Sequence, residues 1–508
     1  MIQRRHFIER AAKAAFGLSV LPNVARGSGV KSTRGLNGFG SAKRIIFINV
    51  KGGMSHIDTF DPKRGKAKGP GAAIRTSADF QVTEYLPETA KVADRIALIR
   101  TMTAKIGVHE PAQYVMRTAF AKRNTIKHPN LGAWAQHYLG ASHDTLPSSA
   151  CINEPPRYGN GFFAPTYSPI PILEPSAGLA NLDTDGGTER LQSKLELADT
   201  LSERFVAKYQ DSNVGAYRDF YDETLRLLRS DDLKAFDLSQ ENKATRKFYG
   251  DSKFGQGCLL AKRLVEAGVR FVEVTSDGWD MHQDIKGDMT DIAPAFDLGY
   301  AALIRDLERS GLLDSTLVVL ATEFGRKPDY NGAGRGHYPL CFTVGLAGAG
   351  VKPGFVLGES DERGATPDVP RTVGDFHATI AHAAGIPGRN PSSPLLVAHF
   401  TWAEQKPSQS SRCSPEEGLV LAPPLFDYFL APPHLDGAVA PDSAILQDEA
   451  GTRRRVDEDD MAGQASTAPS SEVLAPHVFS ALLPIAFKSL EGIGQTFVSV
   501  PDQLHVSS

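Results

Sequence analysis

Three short apolar runs rich in β-branched residues predict the strands of a sheet. They are 44–50 (RIIFINV), 269–275 (VRFVEVT) and 316–322 (TLVVLAT). A continuous run of this kind is typical of a strand buried on both faces. Helical spacing of apolar residues at 254–267 and 293–312 comes directly before the second and third runs. This alternation predicts a mainly parallel central sheet between helices, an α/β/α sandwich of three layers.

The intervening segments have a different composition. Charged and helix-forming residues dominate 188–250, which predicts a helical insertion, whereas 147–177 is rich in Pro, Gly and Tyr and predicts an irregular loop. We therefore expect one domain over 44–387. Beyond it, Ser, Pro, Ala and Gly dominate and the periodic patterns weaken, so 388–508 is predicted to be a divergent, largely disordered tail with one helix at 473–490. A changed reading frame near the end of the gene is one hypothesis for this tail.

The N-terminus has the order of an export signal. Arg4-Arg5-His6-Phe7 precedes a mildly apolar stretch at 11–21 and small residues near Ala25. Paired arginines before Phe are typical of the twin-arginine type, which predicts the twin-arginine export machinery as a partner. The predicted signal covers 1–30, and a Gly/Ser/Lys/Arg-rich linker follows at 31–43.

Export predicts a periplasmic or extracellular protein. The alternative is a basic amphipathic N-terminal helix, because Lys13 interrupts the apolar run, and the protein would then be cytoplasmic. No uninterrupted apolar run reaches the length of about 18 residues that a membrane-spanning helix needs.

Composition and missing motifs exclude several functions. Lys and Arg total 55 against 59 Asp and Glu, a net charge of −4, which argues against nucleic-acid binding through phosphate contacts. The four cysteines form no C-x-x-C pair, so neither a zinc knuckle nor a disulfide scaffold is expected. The sequence has no phosphate-binding P-loop, no G-x-S-x-G elbow and no G-x-G-x-x-G after a strand. These missing motifs argue against a kinase, a serine hydrolase and a dinucleotide-binding protein.

Polar residues follow the predicted strands, where parallel sheets place their ligand sites. After the first strand, Lys51 is a candidate anion contact, and Ser55 and Asp58 lie close together beyond a Gly52-Gly53 turn. The alternative is a turn in which Asp58 caps a helix or accepts from loop amides.

The second strand is followed by Asp280 and His282, a carboxylate and an imidazole that suit a divalent metal with oxygen and nitrogen ligands. A solvated loop with a capping Asp is the alternative. After the third strand, Glu323 is a further candidate ligand, and His337 in a Gly-rich loop completes the set.

Three further residues are candidates. Arg326 and Arg335 offer planar forks for a phosphate or sulfate oxyanion, although each is equally suited to an ion pair. His109, near a predicted helix N-terminus, would stay neutral and could act as a ligand or base, or as a cap or packing residue. His109-Glu110 is not a zinc-protease motif, because Pro111 follows and position 113 is not His.

Together these residues resemble the bacterial family known as domain of unknown function 1501. The resemblance covers about 40–387 in the family's order and rests on Arg4-Arg5-x-Phe7, the GGMSHIDTFDPK run at 52–63, Phe248-Tyr249-Gly250, the segment 254–272, Gly278-Trp279-Asp280-x-His282, Glu323-Phe324-Gly325-Arg326 and Gly334-Arg335-x-His337.

The resemblance implies a fold and a chemistry. The family is similar to the alkaline-phosphatase-like superfamily, which includes sulfatases and cofactor-independent phosphoglycerate mutases. It implies two divalent metal ions, Zn, Ca, Mg or Mn, that hold a phospho or sulfo group. The positions that match its ligands are Asp58 or its neighbours, Asp280, His282, Glu323 and His337.

The chain also departs from that pattern. Glu323-Phe324 stands where the superfamily enzymes have Asp-His, and Gly336 stands where an Asp is expected. No cysteine lies in the C-x-P-x-R motif that sulfatases need, and Ser55 is the candidate nucleophile of a phosphatase. We therefore expect an exported metal-dependent hydrolase of phosphate or sulfate esters. The alternative is an inactive relative that binds an anionic glycan or a protein partner.

Overall fold

A computed structural model describes residues 38–179, 222–330 and 332–386, together with residues 190, 193, 196 and 197. The predicted export signal at 1–30 and the predicted tail at 388–508 lie outside the described residues. The described parts of the predicted insertion at 188–250 are largely helical, at 190, 193, 196, 197 and 222–228 and in Asp231–Phe236, Leu238–Gln240 and Lys243–Tyr249.

The described residues form thirteen strands. Their bounds are β1 Arg44–Val50, β2 Ala73–Arg75, β3 Gln81–Thr83, β4 Ile96–Thr103, β5 Ser149–Ile152, β6 Ile170–Ile172, β7 Phe271–Ser276, β8 Thr316–Thr322, β9 Gly325–Arg326, β10 His337–Tyr338, β11 Phe342–Ala347, β12 Val356–Leu357 and β13 Arg371–Thr372.

Seven α-helices have both ends within the described residues. They are α1 Pro87–Ala90, α2 His109–Thr118, α3 Leu131–Leu139, α4 Lys243–Tyr249, α5 Lys253–Glu266, α6 Ile285–Arg309 and α7 Val373–Ala384. Short 3-10 helices occupy Gly65–Ala67, Ala93–Arg95, Pro165–Tyr167, Pro175–Ala177, Asp231–Phe236, Leu238–Gln240 and Leu313–Ser315.

The central sheet has nine strands and is mainly parallel. Its order is β12-β4-β11-β8-β1-β7-β5-β6, and β13 pairs with β4. Only β11 among them runs antiparallel to its neighbours, β4 and β8. β1 lies at the centre, with Asn49 opposite Thr275 on β7 and Ala321 on β8. The ends of β1, β7 and β8 therefore lie side by side at one edge of the sheet.

Successive side chains of β1 point to opposite faces and divide the core in two. Ile46, Ile48 and Val50 belong to a cluster that includes residues of α5 and α6. Ile45 and Phe47 belong to a second cluster with residues of α3 and α7. Helices thus cover both faces of the sheet, and the predicted three-layer α/β/α sandwich is confirmed.

Some elements extend beyond their predicted bounds. α6 begins at Ile285 rather than near Ala293, because the Asp284 side chain caps it by accepting from the Gly287 amide at 3.0 Å.

The predicted irregular loop at 147–177 contains β5 and β6, which are too short to show a period of two. In the predicted linker, the Ala42 amide donates to the Ala383 carbonyl at 2.8 Å, so the packed domain begins before β1.

None of the helices in the described part of the chain combines the length and the apolar character needed to cross a membrane.

Matched valines test the position of the core. Val318 on β8 is fully buried, whereas Val369 is 44 % exposed. We expect Val318→Ala to lower the free energy of unfolding by about 2 kcal/mol, because it removes two buried methyl groups and leaves a cavity. Val369→Ala should change it by less than about 0.5 kcal/mol. Equal losses in chemical denaturation would contradict the burial described here.

Candidate metal centre

The centre is built where β1, β7 and β8 end. The Gly52 amide donates to Glu323 Oε1 at 3.0 Å, and the Trp279 amide donates to the Lys51 carbonyl at 3.2 Å. Gly52 has a φ of +121°, and a Cβ there would lie 2.6 Å from the Asp280 amide nitrogen. A glycine is therefore required for the turn after β1 to approach the turn after β7.

Three side chains from separate elements meet at this edge. They are His109 at the start of α2, Asp280 after β7 and His337 on β10, and one potential ligand atom of each lies within 4.8 Å of the others. The Nε2 atoms of His109 and His337 each lie 3.2 Å from an oxygen of Asp280. We call these three residues the His109–Asp280–His337 cluster.

The far nitrogen of each histidine is held by an acceptor. His337 Nδ1 lies 2.8 Å from the Gly107 carbonyl oxygen, which can only accept, so Nδ1 carries the proton. His109 Nδ1 donates to Glu323 Oε1 at 2.8 Å. Carbonyls and carboxylates hold metal-binding histidines in this way, leaving Nε2 toward the ion.

The donor set fits a divalent cation. His109 Nε2 is buried and makes no hydrogen bond of its own, and it faces Asp280 Oδ2 at 3.2 Å. Two imidazole nitrogens and one carboxylate oxygen are ligands typical of Zn²⁺ and related transition metals. The residues present therefore fit a metal, with positions left for a ligand.

Glu323 supports this cluster from behind. Its Oε1 accepts from His109, from the Gly52 amide and from Gln113 Nε2 at 3.1 Å. Burial alone would raise the pKa of Glu323, but the hydrogen bonds from His109 and Gln113 outweigh it and lower the pKa. The ionised carboxylate in turn raises the pKa of His109, so the expectation that the helix N-terminus keeps this histidine neutral is wrong. In this arrangement Glu323 orients His109.

Arg326 fixes the charge of Asp280. Its Nη2 donates to Asp280 Oδ1 at 2.5 Å. Partial burial opposes ionisation of Asp280, but Arg326 outweighs it and lowers the pKa of this carboxyl to about 2. The remaining N–H groups of Arg326 donate to the carbonyls of Gly52, Gly53, Trp279 and Arg335. The oxyanion contact predicted for Arg326 stays a prediction, since its donors already have acceptors.

His282 lies at the rim of the cluster. Its Nε2 is 2.9 Å from Asp280 Oδ1 and 3.0 Å from His337 Nε2, and its side chain is partly exposed. Partial burial and the nearby Arg326 lower the pKa of His282. The structure thus brings four of the five predicted ligands, Asp280, His282, Glu323 and His337, into one network with the predicted His109 and Arg326.

Ser55, Asp58 and Arg335 form a separate buried group. Arg335 Nε donates to Asp58 Oδ2 at 2.6 Å, and its Nη2 lies 3.3 Å from Oδ1. The Ser55 hydroxyl donates to Asp58 Oδ2 as well. Both carboxylate oxygens of Asp58 therefore have donors within the protein. The predicted roles of Ser55 as nucleophile, Asp58 as ligand and Arg335 as anion contact stay predictions.

Lys51 lies beside the centre but is held by acids. Its Nζ is 2.8 Å from Asp277 Oδ2 and 3.4 Å from Glu154 Oε1. Its predicted contact with an anion also stays a prediction.

Sequence reasoning missed two polar residues of α2, Gln113 and Arg117. His109, Gln113 and Arg117 follow one another at four-residue spacing, which places them on one face of the helix. Arg117 is buried and donates at 2.8 Å to both Glu273 and Glu154. A polar stripe of period four on a mostly buried helix is the signal that could have found them.

Fold and centre together define an α/β sandwich protein with a histidine–carboxylate cluster at the carboxyl ends of its parallel strands. The chain belongs to the family described as "Protein of unknown function (DUF1501)", whose model matches residues 42–397. The family resemblance predicted from the motifs is thereby confirmed. A search of curated proteins finds no match.

Solved structures are similar at low identity. The PsFucS1 sulfatase from Pseudoalteromonas sp. has a TM-score of 0.34 and 12 % identity, covering 68 % of each chain. The lipoteichoic acid synthase LtaP from Listeria monocytogenes has a TM-score of 0.32 and 11 % identity, covering 70 % of this chain and 76 % of the other. The phosphonate monoester hydrolase SpPMH from Silicibacter pomeroyi has a TM-score of 0.30 and 10 % identity, covering 72 % of this chain and 78 % of the other. The fold assignment rests on the sheet topology itself.

The hydrogen bond between His109 and Glu323 predicts a pH dependence. Because Glu323 raises the pKa of His109, the bond stabilises the fold below the ordinary histidine pKa of about 6.5, and this contribution is lost as the pH rises through the raised value. We expect Glu323→Gln to lower the pKa of His109 in a metal-free NMR titration. Glu308→Gln, on an exposed pair with Arg95, should leave it unchanged. An unaltered His109 titration in Glu323→Gln would contradict this pairing.

Two glycines with positive φ separate steric clash from backbone strain. Gly52→Ala places a Cβ against the Asp280 backbone, whereas Gly311, with a φ of +68°, has nothing within 4 Å of a built Cβ. We expect Gly311→Ala to cost about 1 kcal/mol in free energy of unfolding and Gly52→Ala at least about 2 kcal/mol more. Equal losses of the two variants in chemical denaturation would show that the turn after β1, at Gly52, does not contact the turn after β7, at Asp280.

Proposed function

We propose that this protein is a metal-dependent hydrolase that acts on a phosphate or sulfate ester. The observation that carries the proposal is the His109–Asp280–His337 cluster, in which three ligand atoms from three separate elements lie within 4.8 Å of one another. The Glu323 carboxylate and the Gly107 carbonyl orient the two histidines, as the second partners of metal-binding histidines do. The setting proposed for the activity is the periplasm or the cell exterior, as the N-terminal sequence predicts.

Each residue has a proposed task. His109, Asp280 and His337 would hold the cation, which when bound would polarise the ester oxygens and stabilise the charge that develops on them. Arg326 keeps Asp280 ionised, and Glu323 keeps His109 Nδ1 protonated. His282 is kept neutral at the rim by its lowered pKa, and its Nε2, 2.9 Å from Asp280 Oδ1, would hold a proton at that oxygen.

A second candidate function is the binding of an anionic glycan without turnover. It is favoured by the position of Ser55, the predicted nucleophile, whose hydroxyl is buried and donates to Asp58. A buried, hydrogen-bonded hydroxyl is poorly placed to attack an ester. The two candidates share the metal centre and differ in whether an ester bond is broken.

Metal analysis tests the cluster directly. The full chain is incubated with Zn²⁺, Mn²⁺, Ca²⁺ or Mg²⁺, desalted and analysed for bound metal. We expect about one bound ion for the unaltered protein, and at least tenfold weaker binding for Asp280→Ala and for His337→Ala, because each removes a direct ligand. Asp277→Ala, a nearby exposed carboxylate outside the cluster, is the matched control. No bound metal, or equal loss in the control, would refute the proposed centre.

Turnover separates the two functions. Aryl phosphate and aryl sulfate esters are supplied to the metal-loaded protein, and release of the aryl alcohol is measured. Turnover that disappears in Asp280→Ala but persists in Asp277→Ala supports the hydrolase. Metal binding and glycan retention without turnover of either ester would support the binding protein instead.

A further inference from the structure

An exposed basic turn lies next to the metal centre. Residues 121–127 are all exposed and include Lys122, Arg123 and Lys127. Arg123 and Ile126 form an antiparallel bridge, which gives the turn a defined shape. Lys122 Nζ lies 2.8 Å from an oxygen of Glu110, the residue that follows His109. The turn is thus tied to the helix end that carries the candidate ligand.

A group of aromatic rings lies beyond this turn. We call Trp134, His137, Phe162, Phe163 and Tyr167 the aromatic surface. The Phe163 ring centre lies 4.7 Å from that of Trp134, 5.0 Å from that of Phe162 and 4.5 Å from that of His137. Phe162 is 48 % exposed and His137 is exposed. Trp134, Phe163 and Tyr167 are half-buried beside them, so the rings present partly exposed faces to water, a feature of interaction sites when it extends over a patch.

Backbone contacts join the basic turn to the aromatic surface. The Asn130 amide donates to the Gly159 carbonyl at 3.0 Å, and a Cβ on Gly161 would lie 2.3 Å from the His128 carbonyl carbon. On the other side, the Tyr158 hydroxyl donates to the Glu110 carbonyl at 3.3 Å. The loop at 158–163 therefore links the start of α2 to Phe162.

The combined chemistry selects one class of ligand. Cationic side chains bind sulfate and phosphate groups, whereas the electron-rich faces of aromatic rings attract the polarised C–H groups of a sugar ring. We propose that the basic turn and the aromatic surface bind an extended anionic glycan whose chain continues from the His109–Asp280–His337 cluster. This inference deepens the proposed function and rests on it for the direction of the bound chain.

The charge pattern favours a glycan over a nucleic acid. Two exposed cations, Arg123 and Lys127, accompany the Lys122–Glu110 pair, and the whole chain has a net charge of −4. Nucleic-acid surfaces neutralise many phosphates at once, about six to ten for a typical specific protein, and so need a denser basic surface. Sparse charge beside wide ring faces fits a polymer in which anionic groups alternate with sugar faces.

Binding of defined polymers tests the proposal on the full chain. The probes are dextran sulfate, neutral dextran of the same length, polyaspartate and a single-stranded oligonucleotide, each titrated at several salt concentrations. The variants are Arg123→Ala with Lys127→Ala, and Phe162→Ala. Lys243→Ala with Lys247→Ala removes the same charge from α4 and is the matched control.

We expect dextran sulfate to bind most tightly. The Arg123/Lys127 variant should weaken it about tenfold and reduce the salt slope by about two, because two counter-ions fewer are released. Phe162→Ala should weaken dextran sulfate about three- to tenfold and leave polyaspartate unchanged, because polyaspartate has no sugar ring to stack on the face of Phe162. The Lys243/Lys247 control should bind like the unaltered protein.

Several outcomes would overturn the proposal. They are no binding of dextran sulfate, equal losses in the control, preference for the oligonucleotide, or an equal effect of Phe162→Ala on polyaspartate. The Asp280→Ala variant separates this surface from the proposed activity. Retained dextran sulfate binding with lost metal supports the surface independently of the activity, whereas loss of both would show that the polymer binds at the metal centre alone.

Discussion

One buried guanidinium holds the candidate metal centre together. Arg326 is 1 % exposed, and its donors engage the carbonyls of Gly53 at 2.7 Å and Arg335 at 2.9 Å as well as the Asp280 carboxylate. A buried charge is tolerated only when its hydrogen bonds are satisfied. The loops that carry Gly53, Asp280 and Arg335 must therefore keep their positions around Arg326. The same contact keeps Asp280 ionised and directed toward His109 and His337.

The helix α2 provides the second support. Its inward stripe joins His109 and Gln113 to Glu323, and Arg117 to Glu273 on β7 and to Glu154 after β5. Burial alone would lower the pKa of Arg117, but the two carboxylates outweigh it and raise the pKa. Because removal of one partner would leave a buried charge uncompensated, the rotation of α2 about its axis is strongly restricted. The contacts of Arg117, two helical turns away, therefore help to fix the position of His109.

Charged residues in this sequence thus have two different uses. Arg326, Arg335 and Asp58 are buried and paired within the protein, where they define the shape of the strand-end loops. Arg123 and Lys127 are exposed on a short turn, where water is the competing partner. Residue type alone does not separate these uses, since a guanidinium fork suits an internal carbonyl as well as an external oxyanion.

The sequence by itself determined the central strands, the family and most of the residues at the sheet edge. The runs at 44–50 and 316–322 coincide with β1 and β8 because burial on both faces requires continuous apolar residues. β4 was not predicted, since Arg100 interrupts its apolar run, and β5 and β6 are too short to show a period. Only the tertiary structure decided that His109 joins Asp280 and His337, that Glu323 orients a histidine, and that Asp58 pairs with Arg335. These assignments depend on distances between loops, which arise from the packing of distant elements and from turns such as Gly52 that no local pattern encodes.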